Sequence, residues 1–127
     1  MAGRRSADDA KWKEAKRLVA KRDSGNCRLL RVISARDAGI LCRNARQQLQ
    51  TVDPAHIYPV SKHIRLTYEP DNIVSLNRYS HEMLDTCRDP ITGRSISKDD
   101  VYVWWEKIAG KAQWERLQAL LEGEQDE

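Results

Sequence analysis

Four polar side chains in this sequence are of types that could do chemistry together: His56, Asn72, His81 and Asp85. A neutral imidazole can take a proton from water near physiological pH, which is the work of a general base. His81 and Asp85 stand at i and i+4 in "NRYSHEMLDTCR", a stretch of helical composition, so they share a helix face and could hold one divalent cation. Mixed nitrogen and oxygen donors suit manganese, nickel or zinc better than magnesium, although a site completed by waters accepts several of these. Taken singly, a strand-end histidine or a His-x-x-x-Asp pair is commonplace. Sixteen residues separate His56 from Asn72, and nine more lead to His81.

Those residues need elements to position them. His56 lies in "DPAHIYP", where Pro54 lacks a backbone donor and marks the start of a strand or a bulge within it. The pattern predicts a short strand at 56–58, a loop at 59–71, a second strand at "NIVSL" (72–76) and a helix that stops before Pro90. Upstream, a basic helix is predicted over 6–22, capped by Ser6 with Asp9 three residues on and carrying Trp12, Ala15, Leu18 and Val19 at helical spacing. "DSGN" ends it, and "CRLLRVIS" reads as a strand that "AGILCR" could join as a hairpin. Downstream, Ser97 and Asp100 open a helical region over 97–122, interrupted at Gly110. Trp104, Trp105 and Trp114 on its apolar stripe are expected in the core rather than as base-stacking platforms.

Composition bounds the rest. A chain of 127 residues predicts one domain, 1–127, with a modest core. The sequence has no apolar run long enough to span a bilayer and no apolar signal segment, so the expected location is the cytoplasm, away from membranes. Three cysteines fit reduced thiols better than a disulfide framework. The charge is uneven. Residues 1–50 carry thirteen Lys/Arg against five Asp/Glu, and residues 51–127 carry nine against fourteen. The basic half is either a solvated helix face or a flank that attracts a polyanion through counterion release.

"DPAHIYPVS" and "EPDNIVSLNRYSHEMLD" together resemble the HNH nuclease motif, found in colicin DNases, phage HNH proteins and several restriction enzymes. The resemblance spans about residues 22–88, and in size the chain is similar to phage or prophage-encoded stand-alone HNH proteins. It implies an α+β fold with a ββα-metal (His-Me finger) core at 53–88, flanked by the N-terminal helix and the C-terminal helices. It implies a metal-dependent endonuclease that hydrolyses DNA phosphodiester bonds. His56 takes the place of the general base, Asn72 that of the residue pinning the loop that orients it, and His81 and Asp85 those of the metal ligands. The cofactor would be a divalent ion (magnesium, manganese, nickel or zinc) and the partner DNA. Arg65 and Arg78 flank the loop and helix and are candidates for phosphate contact, while His63 is read as a surface residue.

The sequence also departs from the family. Many members carry Asp or His just before the base, as a further ligand; here that residue is Ala55, as in other "AHI" members. Lower metal affinity follows unless Asp53 or water substitutes. In a regular strand Asp53 would face away from His56, and a bulge at Pro54 could bring it back. Many members also bracket the core with two C-x-x-C zinc knuckles. Cys27, Leu30, Asn77 and Ser80 occupy those positions, so no structural zinc is expected. The alternative reading is a catalytically weak or inactive HNH-fold module that binds DNA in recombination or regulation.

Overall fold

The computed structural model describes residues 2–125, with side chains described for residues 7–123. The fold is α+β: five α-helices and one two-stranded antiparallel sheet among the described residues. No helix among them is long and apolar enough to cross a membrane.

Helix α1 (Ala2–Asp23) begins before the expected start, so Ser6 lies within it rather than capping it. Its inward face carries Ala15 and Val19, which pack with Trp12, Tyr68 and Ile73. The helix ends where Ser24 and Gly25 turn to positive φ, and the Gly25 N–H closes onto the Ala20 carbonyl at 3.0 Å. Asp23, its last residue, is fully buried. Its carboxylate accepts the Ser75 N–H at 3.0 Å and pairs with Arg22 and Arg28, each at 2.8 Å. Burial alone would raise this carboxyl, but the two guanidiniums and the Ser75 amide outweigh it and hold the pKa at about 2.

The expected strand and hairpin after α1 do not form. Leu29–Arg31 is a single 3-10 turn, and Ala35–Ala45 is helix α2. The reason is local. Ser34 accepts the Asp37 N–H at 3.1 Å and caps the helix, and Leu41 and Ala45 then fall on its buried face. Arg28 and Arg31 reach back to Asp23, which ties down the run that looked like a strand.

Strands β1 (Val52–His56) and β2 (Ile73–Asn77) pair from Val52↔Asn77 to His56↔Ile73 without a slip. The first strand therefore lies earlier than the expected 56–58 and ends at His56, and Pro54 pairs with Ser75 without a bulge. Every residue of β2 is buried, because α1 covers the sheet on one side and the main core on the other. Helix α3 (Arg78–Asp85) follows at once, its first turn capped by Asn77, whose side chain accepts the Ser80 N–H at 2.9 Å. Asn77 also donates its backbone N–H and its amide to Cys27 Sγ, both at 3.2 Å.

Beyond a turn organised by Asp89, helices α4 (Lys98–Ala109) and α5 (Lys111–Gln125) meet at Gly110, whose φ of 83° permits the break. Ser97 caps α4 by accepting the Asp100 N–H at 3.1 Å, as its position predicts. The main core joins Leu29, Leu41, Leu76, Leu84, Ile108 and Leu117 around Trp105, with Trp104 and Trp114 packed at its margin. Tyr58, two residues past β1, stacks on Tyr102 (4.9 Å between centroids) and Trp114 (6.1 Å), which braces the loop after β1 against α4 and α5.

Candidate active site

His56 sits at the last position of β1. Its Nε2 lies 2.8 Å from the Thr67 carbonyl, which can only accept, so Nε2 carries a proton. In the neutral ring that leaves Nδ1 as the acceptor, the form a general base requires. One face of the imidazole is covered by the Trp12 indole, with centroids 5.5 Å apart and planes 17° from parallel.

The loop between the strands is held from its far end by Asn72. This buried side chain accepts the Tyr58 N–H at 2.8 Å and donates to the carbonyls of Tyr58 (3.1 Å) and Leu66 (3.3 Å). Ile57 donates to the Asn72 carbonyl at 2.9 Å. Asn72 lies in the 3-10 turn Pro70–Asn72 just before β2, so its amide spans the loop where the chain leaves β1. The chain just after His56 and just before Thr67 is thereby fixed in one frame.

His81, one turn into α3, faces two carboxylates. Its Nδ1 is 3.4 Å from Asp53 Oδ2 and its Nε2 is 3.3 Å from Asp85 Oδ2. A neutral imidazole has one N–H, so it can donate to only one of them; the other nitrogen then points a lone pair at a carboxylate. A proton or a metal cation would resolve that conflict. Two ligands each about 2.1 Å from an ion lie about 3.0–3.4 Å apart at octahedral to tetrahedral angles, and both spacings fall in that range. Asp53 is on the opposite edge of the ring, where Arg78 holds it through Nε (3.3 Å) and Nη2 (3.1 Å). Partial burial raises the Asp53 carboxyl, yet Arg78 and then His81 bring it below its ordinary value. It reaches His81 without any bulge, because α3 starts beside the Val52↔Asn77 end of the sheet. Asp85 shifts the other way: desolvation raises it against the opposing charges of His81 and His56, although its side chain keeps 59% exposure. Among the described residues no three His, Cys, Asp or Glu side chains converge as a metal-binding group. Ala55 is fully buried opposite Val74.

His56, His81 and Asp85 line one cleft of about 400 Å³, with Leu84, Val101 and Tyr102 among its walls. Lys98, the first residue of α4, is the basic side chain on its rim. Neither Arg65, exposed in the 3-10 turn Ile64–Leu66, nor Arg78, paired with Asp53, lines this cleft. His63 is half-buried and meets the Tyr58 ring edge-on at 5.4 Å, rather than standing free on the surface. Sequence reasoning missed Trp12, Thr67 and Lys98. Trp12 belongs to the apolar spacing of α1 and Thr67 acts through its backbone, so neither carries a signal in sequence; Lys98, directly after the Ser97 cap, was open to notice. Compared with known proteins, the chain matches no family model, no curated protein and no solved structure.

Proposed function

We propose that this protein is a metal-dependent endonuclease of the HNH type, with β1, β2 and α3 as its ββα-metal core, hydrolysing phosphodiester bonds in DNA. The observation that carries the reading is the single cleft in which His56, with its Nε2 already engaged, meets His81 and Asp85. A water between the base and the phosphate loses its proton to His56 Nδ1 as its oxygen attacks phosphorus. The bond to the 3′-oxygen breaks and that oxygen takes a proton from solvent, leaving a 5′-phosphate and a 3′-hydroxyl. His81 Nε2 and Asp85 would hold the divalent ion. When bound, that ion supplies positive charge for the phosphate and for the leaving oxygen. Asp53 fits the role of the carboxylate that fixes the ligand histidine's tautomer from its other nitrogen, a common arrangement at metal sites.

The contact between Cys27 and Asn77 supports the same reading. They stand at two positions where zinc-bearing relatives place cysteines, and here a hydrogen-bonded pair joins those segments. The buried Ala55 favours a second reading, a DNA-binding module with weak catalysis, because it leaves two protein ligands rather than three. Incubation with supercoiled plasmid across a metal series separates the two: relaxation that EDTA abolishes belongs to the nuclease, and a gel shift without cleavage to the binding module.

A further inference from the structure

We propose that Trp12 of α1 is a positioning residue for His56, so that the N-terminal helix is part of the catalytic apparatus and not only a basic flank. The inference rests on the reading of His56 as the general base. One hydrogen bond, from Nε2 to the Thr67 carbonyl at 2.8 Å, fixes a single point of the imidazole. It leaves the ring plane free to swing, since the outer torsion of a histidine side chain is broad. The indole of Trp12 lies over the ring at 5.5 Å and within 17° of parallel, and it supplies the missing constraint. Together the bond and the stack determine both the plane of the ring and where Nδ1 points. Near-attack geometry at a general base is sensitive to just such an error.

Trp12 is itself well seated. Half-buried, it packs against the cluster of Ala15, Val19 and Ile73, and Ile73 is the cross-strand partner of His56. The helix is therefore anchored on the residue that pairs with the base. His56 also lines a second groove, of about 250 Å³, whose walls include Trp12, Asp8, Asp9 and Thr67. The ring thus stands between this groove and the cleft of His81 and Asp85, with α1 against it on the groove side.

The test uses the full chain and two substitutions, Trp12→Leu, which keeps apolar bulk without a ring face, and Trp12→Phe, which restores a smaller face. Plasmid relaxation with manganese is expected to show kcat lower by about 10- to 100-fold in Trp12→Leu, with KM within about twofold, and substantial recovery in Trp12→Phe. Equal kcat in Trp12→Leu, a change in KM alone, or no recovery in Trp12→Phe would overturn the proposal. A second measurement does not depend on cleavage. In the wild-type protein, NMR of labelled histidine is expected to show the His56 ring protons shifted upfield by the indole, with cross-relaxation to Trp12, and His81 unshifted. The absence of that signature overturns the stack even if Trp12→Leu fails to fold. A signature present in a protein that never cleaves would instead count against the nuclease reading.

Discussion

Asn72 grips the backbone of Tyr58 from both sides, accepting its N–H at 2.8 Å and donating to its carbonyl at 3.1 Å. A third bond, to Leu66, joins the two ends of the loop through one fully buried amide. Asn72→Ala should therefore cost about 3 kcal/mol, because it strands buried backbone groups. Asn72→Asp should cost at least as much, since both donated bonds disappear and a carboxylate then faces two carbonyls. Urea unfolding measures both, and a loss under about 1 kcal/mol in each would show that the loop is held by something else.

Asp23 predicts a pH dependence. Its pKa is about 2 in the folded protein against an ordinary 3.8, so folding favours the ionised form. The stability it contributes, about 2 kcal/mol, is complete above roughly pH 5 and is lost as pH falls toward 2. Asp23→Asn should thus be less stable than the parent at pH 7, by about 3 kcal/mol once the stranded Arg28 is included. The gap should narrow steadily below pH 4. A constant gap from pH 7 to pH 3 would mean that Asp23 acts through packing rather than charge.

Much of the site was legible in sequence because its spacing is tied to short, local elements. A histidine beside the first strand, an asparagine at the entry to the second and a helix after it lie within about thirty residues, although His56 closes β1 where the sequence suggested that it opens a strand, and the Asn77 cap was not read. The Ser97 cap was legible for the same reason. The segment 27–43 was not. "CRLLRVIS" has strand composition, but its fate rests on Arg28 and Arg31 reaching Asp23 and on the Ser34 cap, so tertiary contacts override propensity. Trp12 was read only as one of the apolar residues at helical spacing, and nothing in α1 alone announces that its partner is His56, more than forty residues away.

The two carboxylates beside His81 should behave differently toward metal. Asp85→Asn is expected to weaken manganese binding about tenfold in calorimetry, because it removes one of the two ligands proposed here, 3.3 Å from His81 Nε2. Asp53→Asn keeps a hydrogen-bond acceptor at Nδ1 and should weaken binding less, by about threefold. The reverse order of effects would place the ion on the Asp53 edge of the ring.

Lys98 is the cation on the cleft rim, so Lys98→Ala should raise KM for DNA about three- to tenfold while leaving kcat within a factor of about three. It should also reduce the slope of log affinity against log salt by about one, the signature of one lost phosphate contact. An unchanged salt slope would remove Lys98 from the DNA path.

The most direct measurement is the rate of plasmid relaxation by wild-type protein and by His56→Ala, with manganese and with EDTA. The wild-type protein is expected to relax supercoiled DNA only with the metal. His56→Ala should be slower by about 10²–10⁴-fold, with DNA affinity and folding retained, because it removes the general base proposed here, a residue lining the cleft. Equal rates for the two proteins, or cleavage by the wild type that survives EDTA, would contradict the account.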